Sequence, residues 1–332
     1  MAGYALGDAV AEGRLRYVPV RLSAMPRFVD QLRPDVAVVT GIRRGSELVF
    51  GATMGWGPAA ARAAARVVVE VDEGGRDLGG APIPGRVVAT VKRPPAVGAV
   101  PAPRPPVAVD QQIAAHLVAL LPDEPTLQFG PGGVAEAVMS ALDRPIRIWS
   151  GLVTDSLFRL HERGLLLGTA TAAYAWGGQP LAELVTAGKL SLRSVEVTHD
   201  LTRVAGIDRF VGCNTALQVG LDGAVNVERV DGRLVAGIGG HADFCAAACK
   251  SAGGISIIAL PSTTRAGAST IVPAVATTST PRCDIEVIVT EHGVADLRGV
   301  DDAERAQHIA AVAAPEHRGR LRAAVGQPIA GT

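Results

Sequence analysis

Two glycine-rich turns are the segments of the sequence best suited to hold a negatively charged or polarised group. The first, QFGPGGVAEAV, covers Gln128–Val138, and the second, AGIGGHADFCAAACK, covers Ala236–Lys250. Glycine lets backbone amides approach a ligand closely, and the helix that follows offers unpaired N–H groups to an oxyanion or phosphate. The same pattern is common in α/β proteins that lack such a site, so the turns alone leave both interpretations open.

The four cysteines offer a weaker signal for chemistry. Cys245 and Cys249 are four residues apart on a predicted helix, a spacing that can serve a metal, but no second Cys or His pair has zinc-site spacing. Buried apolar thiols are therefore the favoured interpretation, and we expect no metal. Cys213 is a conceivable nucleophile, yet no nearby residue in the sequence lowers its pKa, so packing is favoured there too.

Charge and composition indicate the kind of partner. Lys and Arg number 32, as do Asp and Glu, so no overall field draws the protein to nucleic acid or to an anionic membrane. No apolar run is long enough to predict a membrane span, and the N-terminus has acidic residues where a signal peptide has an apolar core. These features predict a cytoplasmic protein with a small-molecule substrate.

The elements that position the glycine turns belong to two predicted domains, as the length of 332 residues suggests. The segment KRPPAVGAVPAPRPPVAV, residues 92–109, has six prolines and reads as a semi-rigid linker. It separates an N-terminal domain, residues 1–91, from a C-terminal domain, residues 110–332.

Strand and helix patterns alternate on both sides of the linker. Before it, DVAVVTGI and ARVVVEVDE flank an alanine-rich helix and predict a βαβ unit; after it, TLQFGPGG, IRIWSGL and ISIIALPST are predicted strands with helices between them. The fold class is therefore α/β with mostly parallel sheets, in which ligands bind beyond the carboxyl ends of the strands.

Five segments in the C-terminal half resemble one protein family. They are CNTALQVGLDGAVNVE, GIGGHADF, IIALPSTTRAG, STIVP and VIVTEHGVADLRG. In order and spacing they are similar to the acetyl-CoA hydrolase/transferase family, of the 4-hydroxybutyrate CoA-transferase type, and weaker similarity extends along the whole chain. The resemblance implies two open, mostly parallel-sheet domains of CoA-transferase type, with coenzyme A held mainly by the C-terminal domain.

The resemblance also implies a set of site residues. Those expected to bind coenzyme A are Gly130, Gly132, Gly133, Asn214, Gly239, Gly240, Ser262, Thr263, Thr264 and Ser269. Gln128 is expected to polarise the thioester carbonyl together with the amides of the first turn. Ser150, His241 and Glu291 are further catalytic candidates, although His241 is equally interpretable as structural, and for Glu291 a structural carboxylate is the favoured interpretation.

One departure from the family bears on the reaction. A family member attacks the acyl-CoA carbonyl with a glutamate in a segment resembling His-Ser-Glu-Met-x-x-Asp-Gly, and the matching stretch here is WSGLVTDS, residues 149–156. Gly151 stands at the position of the nucleophile. Asp155 is a weak candidate to replace it, because a family Asp stands there beside the glutamate.

Other departures cluster around the same site. His241 stands where Gln is common, Thr270 stands where Arg is usual, and TGIRRGSE, residues 40–47, replaces a Ser-Pro-Pro-Asp type loop. The first domain also lacks strand–helix units found before the segment matched by residues 4–16, so we expect it to be shortened.

These observations predict an enzyme of CoA-transferase fold that acts on an acyl thioester, carried by coenzyme A or a carrier protein, by non-anhydride chemistry: hydrolysis, lysis or cyclisation. A CoA-transferase or thioesterase with a displaced carboxylate is one alternative. A non-catalytic CoA-binding partner subunit is another. We expect a homodimer, because a shortened first domain would expose sheet edge and apolar surface.

Overall fold

The computed structural model describes residues 2–93 and 104–325. Within these ranges it confirms the predicted α/β class, with large, mostly parallel sheets. No helix in the described part of the chain is long and apolar enough to cross a membrane.

Residues 2–93, called the N-terminal lobe here, form a four-stranded sheet and three α-helices. Its elements are α1 (Ala2–Ala11), α2 (Met25–Leu32), β1 (Val36–Arg44), β2 (Glu47–Val49), α3 (Gly57–Ala63), β3 (Arg66–Val71) and β4 (Val87–Lys92). The strand order is β2-β1-β3-β4, and β1 pairs parallel with β3, so the predicted βαβ unit is confirmed. Residues 40–44 continue β1 and turn at Gly45 (φ 61°) into antiparallel β2, so the replaced loop is a β-hairpin.

Residues 104–325, the C-terminal lobe, begin with alternating helices and strands. These are α4 (Ala108–Leu120), β5 (Thr126–Gln128), α5 (Gly133–Ala141), β6 (Arg147–Thr154), α6 (Ser156–Glu162), β7 (Ala170–Trp176), α7 (Gln179–Thr186), β8 (Leu190–Leu192), α8 (Val195–Thr198), α9 (Leu201–Ala205) and β9 (Phe210–Asn214). The sequence predicted β5, α5, β6 and α6, but not the strand ATAAYAW that forms β7.

The rest of the lobe completes its sheets. Its elements are β10 (Gln218–Gly220), β11 (Val225–Asn226), β12 (Arg229–Val230), β13 (Arg233–Leu234), α10 (His241–Ala248), β14 (Ile255–Ala259), β15 (Ile271–Val272), β16 (Val287–Thr290), β17 (Gly293–Asp296), α11 (Asp302–Ala311) and α12 (Pro315–Ala324). The main sheet has the order β17-β16-β14-β9-β5-β6-β7-β8, and all its strands except β17 run parallel. Its central strands β5, β9 and β16 are buried on both faces, as apolar strands of parallel sheets are.

The N-terminal lobe docks onto the free edge of β7. Strand β8 pairs with β7 only as far as Ala172, and residues 52–55 take over beyond it. The Ala173 carbonyl accepts hydrogen bonds from the Met54 and Gly55 amides (3.1 and 3.2 Å), and the Ala175 amide donates to the Ala52 carbonyl (2.9 Å). The two lobes also share one hydrophobic core, in which Val67 and Val69 are fully buried. Burying such side chains contributes about 1.5–3 kcal/mol each.

The predicted linker lies mostly outside the described residues. Strand β4 ends at Lys92, where the linker was expected to begin, and α4 already begins at Ala108. The division into domains at residues 92–109 stays a prediction.

Candidate active site

The first glycine turn lies at the carboxyl end of β5 and Gly151 lies in the neighbouring β6, whereas the second turn joins β13 to α10. Gln128 ends β5, Asn214 ends β9, and Gly151 lies in β6, which pairs with β5. In an open parallel sheet this is the edge where ligands bind. Each turn contains a glycine in the left-handed region, Gly132 (φ 131°) and Gly239 (φ 62°), a conformation that other residues rarely adopt.

A cavity of about 170 Å³ opens beside the first turn. It brings together four residues expected to bind coenzyme A, which are Gly130, Gly132, Gly133 and Asn214. Arg104 and Asp110 close one side through an ion pair of 2.7 Å. A Cβ at position 133 would lie 2.4 Å from the Asp110 carboxylate, so glycine is required there.

A chain of buried polar side chains connects Gln128 to His241. The Gln128 amide donates to Asn214 Oδ1 (3.3 Å), and the Asn214 amide donates to the Cys245 thiol (3.6 Å). Cys245 Sγ lies 3.7 Å from His241 Nδ1, which also contacts Thr280 Oγ1 at 2.8 Å. The structure thus joins two predicted catalytic residues, although they lie on separate elements.

The two end residues of this hydrogen-bonded series each have a polar atom without a partner in the part of the protein that the structure describes. Gln128 Oε1 and His241 Nε2 are buried and make no hydrogen bond of normal geometry within the described residues. Burial lowers the pKa of His241 to about 4, and the backbone of Thr215 opposes that shift only in part. The imidazole is therefore neutral at physiological pH.

Ser150 and Glu291 occupy structural hydrogen bonds. Ser150 is fully buried, and its Oγ lies 2.8 Å from the carbonyls of both Phe129 and Leu152. The Glu291 carboxylate accepts hydrogen bonds from the Ser262 amide (2.9 Å) and hydroxyl (2.6 Å). These contacts agree with the structural interpretation of Glu291, and the catalytic assignment of both residues stays untested.

The hydroxyl residues of the 262–270 segment mostly stabilise their own turn. Thr264 Oγ1 accepts from the Ala268 amide (3.2 Å), and Ser269 Oγ donates to the Ile271 carbonyl (2.7 Å). Thr263 forms a β-bridge with Ser269. Thr270, which replaces the usual Arg, donates to the Pro261 carbonyl (2.7 Å). Pro261 lines the 170 Å³ cavity, so this turn borders it through the backbone.

Asp155, the weak candidate for a substitute nucleophile, is held by a backbone amide in this structure. It is the N-cap residue of α6, but its carboxylate does not cap the helix. Both oxygens instead accept from the Gly178 amide, at 3.1 and 3.3 Å.

The side chain that faces Gly151 is His199, a residue that sequence reasoning missed. A Cβ built at Gly151 would lie 3.3 Å from His199 Nε2 and 3.3 Å from Phe244 Cε2. A Cβ at Gly240 would lie 2.4 Å from the same Nε2. The His199 and Phe244 rings pack with centroids 4.6 Å apart. The imidazole thus lies beneath two glycines, one from β6 and one from the second glycine turn.

His199 comes from the short helix α8 and is almost completely buried. Its Nδ1 lies 2.8 Å from Thr198 Oγ1, and within the described chain no hydrogen bond reaches its Nε2. Burial lowers its pKa to about 3, so the ring is neutral. The sequence THD around it matches no motif, and a helix of four residues is too short to show periodicity. Only the tertiary contact identifies it.

A larger cavity of about 400 Å³ lies in the N-terminal lobe at its junction with β7. Thr40–Ile42 from the replaced loop line it, together with Trp56 and Tyr174. Burial raises the pKa of Tyr174 to about 12, so its hydroxyl stays protonated. The cavity is large enough for a small acyl group.

The cysteine thiols lie mainly in the interior. Cys213 and Cys245 are buried, Cys249 is half-buried and Cys283 is exposed. Burial raises the pKa of Cys213 to about 12, which opposes a role as nucleophile. Among the described residues, no group of three His, Cys, Asp or Glu side chains is arranged to hold a metal ion.

Comparison with protein families places residues 181–325 in the acetyl-CoA hydrolase/transferase C-terminal domain. Among curated proteins, the chain is 28% identical to 4-hydroxybutyrate coenzyme A transferase from Clostridium kluyveri, over 95% of this chain and 78% of that protein. It is 27% identical to acetyl-CoA hydrolase from Kluyveromyces lactis, over 92% of this chain and 70% of that protein.

Solved structures show the same likeness. RipA from Yersinia pestis superposes with a TM-score of 0.84 at 28% identity, over 96% of this chain and 77% of that one. A 4-hydroxybutyrate CoA-transferase from Porphyromonas gingivalis superposes with a TM-score of 0.77 at 28% identity, over 91% of this chain and 78% of that one.

Proposed function

From the match of residues 181–325 to the acetyl-CoA hydrolase/transferase C-terminal domain and from relatives that align along most of the chain, we propose that the protein is an enzyme of this family that acts on an acyl-CoA thioester without a carboxylate nucleophile at position 151. The observation that carries this proposal is the surroundings of Gly151. The three atoms nearest to a Cβ built there belong to His199 and Phe244, and none of them is a carboxylate oxygen.

The two carboxylates considered as substitutes already have partners. Asp155 accepts from the Gly178 amide, and Glu291 accepts from Ser262. A glutamyl anhydride would need one of them to leave these hydrogen bonds. Direct attack on the thioester, by water or by a nucleophile within the substrate, needs no such rearrangement. Hydrolysis is the simplest reaction of this kind, and lysis and cyclisation share its first requirement, a polarised carbonyl.

The groups that would polarise the carbonyl remain in place. The turn at Gly130–Gly133 lines the cavity of about 170 Å³, next to α5, and Gln128 precedes this turn at the end of β5. Backbone donors arranged in this way are worth about 2.7–4 kcal/mol of transition-state stabilisation each in other enzymes. Coenzyme A would bind across this turn and the second turn at Gly239–Gly240, and Thr270 lacks the positive charge that the usual Arg offers a phosphate.

The test is incubation with a panel of acyl-CoAs while free thiol and product mass are followed. We expect thiol release with a free acid, a lysis product or a cyclised product, and no dependence on a carboxylate acceptor. Calorimetry should show saturable binding of coenzyme A, and complete absence of binding would remove it from the proposal.

The alternatives give distinct results in the same assays. A transferase with a displaced carboxylate needs an acceptor acid and leaves an acyl-enzyme adduct that borohydride traps. A non-catalytic partner subunit releases no thiol and co-purifies with a homologous chain. A cytoplasmic location and a homodimer complete the proposal, and the exposed valines of β1 and β4 support the dimer.

A further inference from the structure

We propose that Nε2 of His199 accepts the proton of the attacking water molecule, held over the backbone of Gly151. This inference rests on the proposed function and adds the group that activates the nucleophile. The water oxygen bonds to the thioester carbonyl carbon as its proton passes to Nε2. When the tetrahedral intermediate collapses, the C–S bond breaks and the departing thiolate takes the proton back, so atoms and charge balance.

The hydrogen bonds around the ring assign its tautomer. Thr198 Oγ1 donates to the Ser194 carbonyl (3.2 Å) and lies 2.8 Å from Nδ1 of His199. A hydroxyl has one proton, so with that proton on the carbonyl, Nδ1 is the donor to Oγ1. The lone pair of the neutral ring is then on Nε2, the atom that points at Gly151 and Gly240.

The two glycines give Nε2 its route to the substrate. Both are partly exposed, whereas His199 beneath them is 1% exposed. A Cβ at position 240 would lie 2.4 Å from Nε2, so any larger residue there would displace the imidazole or cover it. A water molecule or a thioester carbonyl can approach the ring only because both positions lack side chains.

Helix α10 supplies the complementary electrostatics. It has eight residues and begins at His241, immediately after Gly240. Its first-turn amides lack intrahelical acceptors, and its N-terminus carries a partial positive charge. The proton acceptor and a stabiliser of the developing oxyanion thus lie on either side of the same glycine.

The carboxylates on the elements packed around His199 are directed to other partners. Asp243 binds Ser23, Glu196 binds Arg62, and Asp200 accepts from the Arg203 amide. No carboxylate among these three stabilises an imidazolium, so the ring is neutral over the whole physiological range and holds a proton taken from water only until the departing thiolate removes it. Thiol release should therefore show no decrease near pH 6.5, where an ordinary histidine base becomes protonated.

The experiment compares His199→Ala and His199→Gln with the wild type, and uses His161→Ala as a matched control on the surface of α6. We expect thiol release by His199→Ala to fall about 100-fold or more, the usual scale for a lost proton acceptor. Binding of coenzyme A by calorimetry should stay within about threefold of wild type, and His161→Ala should keep full activity. If the wild type is active and both His199 variants release thiol at the wild-type rate, the inference is overturned.

Nitrogen NMR of ¹⁵N-histidine-labelled protein gives a readout independent of turnover. We expect the wild type to show His199 with a protonated Nδ1 and an unprotonated Nε2, and the Nε2 signal to shift when acetyl-CoA is added. A protonated Nε2, or one that acyl-CoA leaves unmoved, overturns the inference whatever the activity. A wild type that releases no thiol from any acyl-CoA refutes the proposed function instead, so the two failures are separate.

Discussion

At the scale of single residues, the proposal depends on Gly151, where the resemblance predicts a nucleophile, and on the histidine beside it. Gly151 offers no side chain, and the space beside it is occupied by His199 and Phe244. The predicted position of the nucleophile comes from the resemblance of residues 149–156 to the family segment. The sequence did not reveal His199, because it lies 48 positions away in the chain and its side chain contacts Gly151 only in the folded structure.

We predict that Gly151→Glu does not restore acyl transfer. The new Cβ would lie 3.3 Å from both rings, tighter than normal packing, so the carboxylate would displace His199 or stay out of the site. The assay measures acyl transfer from acetyl-CoA to a carboxylic acid, and mass spectrometry tests for an acyl-enzyme adduct. Gly319→Glu is the matched control, because a Cβ at position 319 meets nothing within 4 Å.

The double variant Gly151→Glu/His199→Ala makes this prediction sharper, since it removes the ring that occupies the space. Transfer well above background in the single variant would show that the wild type is a disabled transferase. Transfer in the double variant alone would show that His199 prevents acyl transfer through a glutamate at position 151.

At the scale of elements, the segment before α2 holds the second glycine turn in place. The Tyr17 hydroxyl donates to the buried Glu228 carboxylate (2.7 Å) and accepts from the Ile238 amide (3.3 Å). The Leu22 amide donates to the Gly239 carbonyl (3.1 Å), and Ser23 binds Asp243 at the start of α10. The turn is therefore fastened by residues more than 200 positions earlier.

We predict that Tyr17→Phe lowers the free energy of unfolding by about 1–3 kcal/mol, because it leaves the Ile238 amide without its partner and removes one hydrogen bond from the buried Glu228 carboxylate, which keeps the bond from Ser279. Chemical denaturation measures this change. Because Ile238 precedes Gly239, binding of coenzyme A should also weaken. Thr186→Val is the control, because it removes an exposed hydroxyl that donates to the Ala182 carbonyl of its own helix, and equal effects of the two changes would contradict the assigned role of Tyr17.

How far the sequence predicts these elements depends on their length and composition. The buried runs DVAVVTGI and ISIIALPST predict β1 and β14, because β-branched apolar residues are typical of parallel strands. The strand β7 was missed because its alanines have a low propensity for strands. Helix α8 was missed because four residues are too few to show a helical pattern of apolar residues. Those two elements carry Tyr174 and lead to His199, so the site was found only in part.

At the scale of the whole molecule, two buried histidines make stability depend on pH. Burial lowers the pKa of His199 to about 3 and that of His241 to about 4, below the ordinary value of 6.5. Below pH 6.5 these two histidines therefore bind protons in the unfolded chain but not in the folded state. The free energy of unfolding falls as pH decreases toward 4.

We predict that these histidines together cost up to about 2.8 kcal/mol per pH unit across this window, about 1.4 each. Denaturation at a series of pH values measures the slope, and His199→Gln should reduce it by about half. Asp243 acts in the opposite sense, since burial raises its pKa and favours the folded state at lower pH. Stability that does not change between pH 6.5 and 4 in the wild type would contradict the prediction.

One face of the N-terminal sheet leaves apolar side chains uncovered, which bears on assembly. Val38 on β1 is 66% exposed, and Val91, on the same face of the sheet by the strand register, is 46% exposed. We predict that sedimentation shows a species larger than the 34.1 kDa monomer and that Val38→Glu shifts it toward the monomer. Ala89→Glu on the same face should also shift the protein toward the monomer. A wild type that stays monomeric at micromolar concentration would refute the dimer.

The pairing of residues 52–55 with β7 means that the peptide connection between the lobes is not what keeps them together. Backbone hydrogen bonds and a continuous hydrophobic core already join them. Two separate polypeptides, residues 1–93 and 104–332, should therefore reassemble when produced together, as fragments of one interrupted sheet. A rotation of one lobe relative to the other would therefore have to break the hydrogen bonds between residues 52–55 and β7.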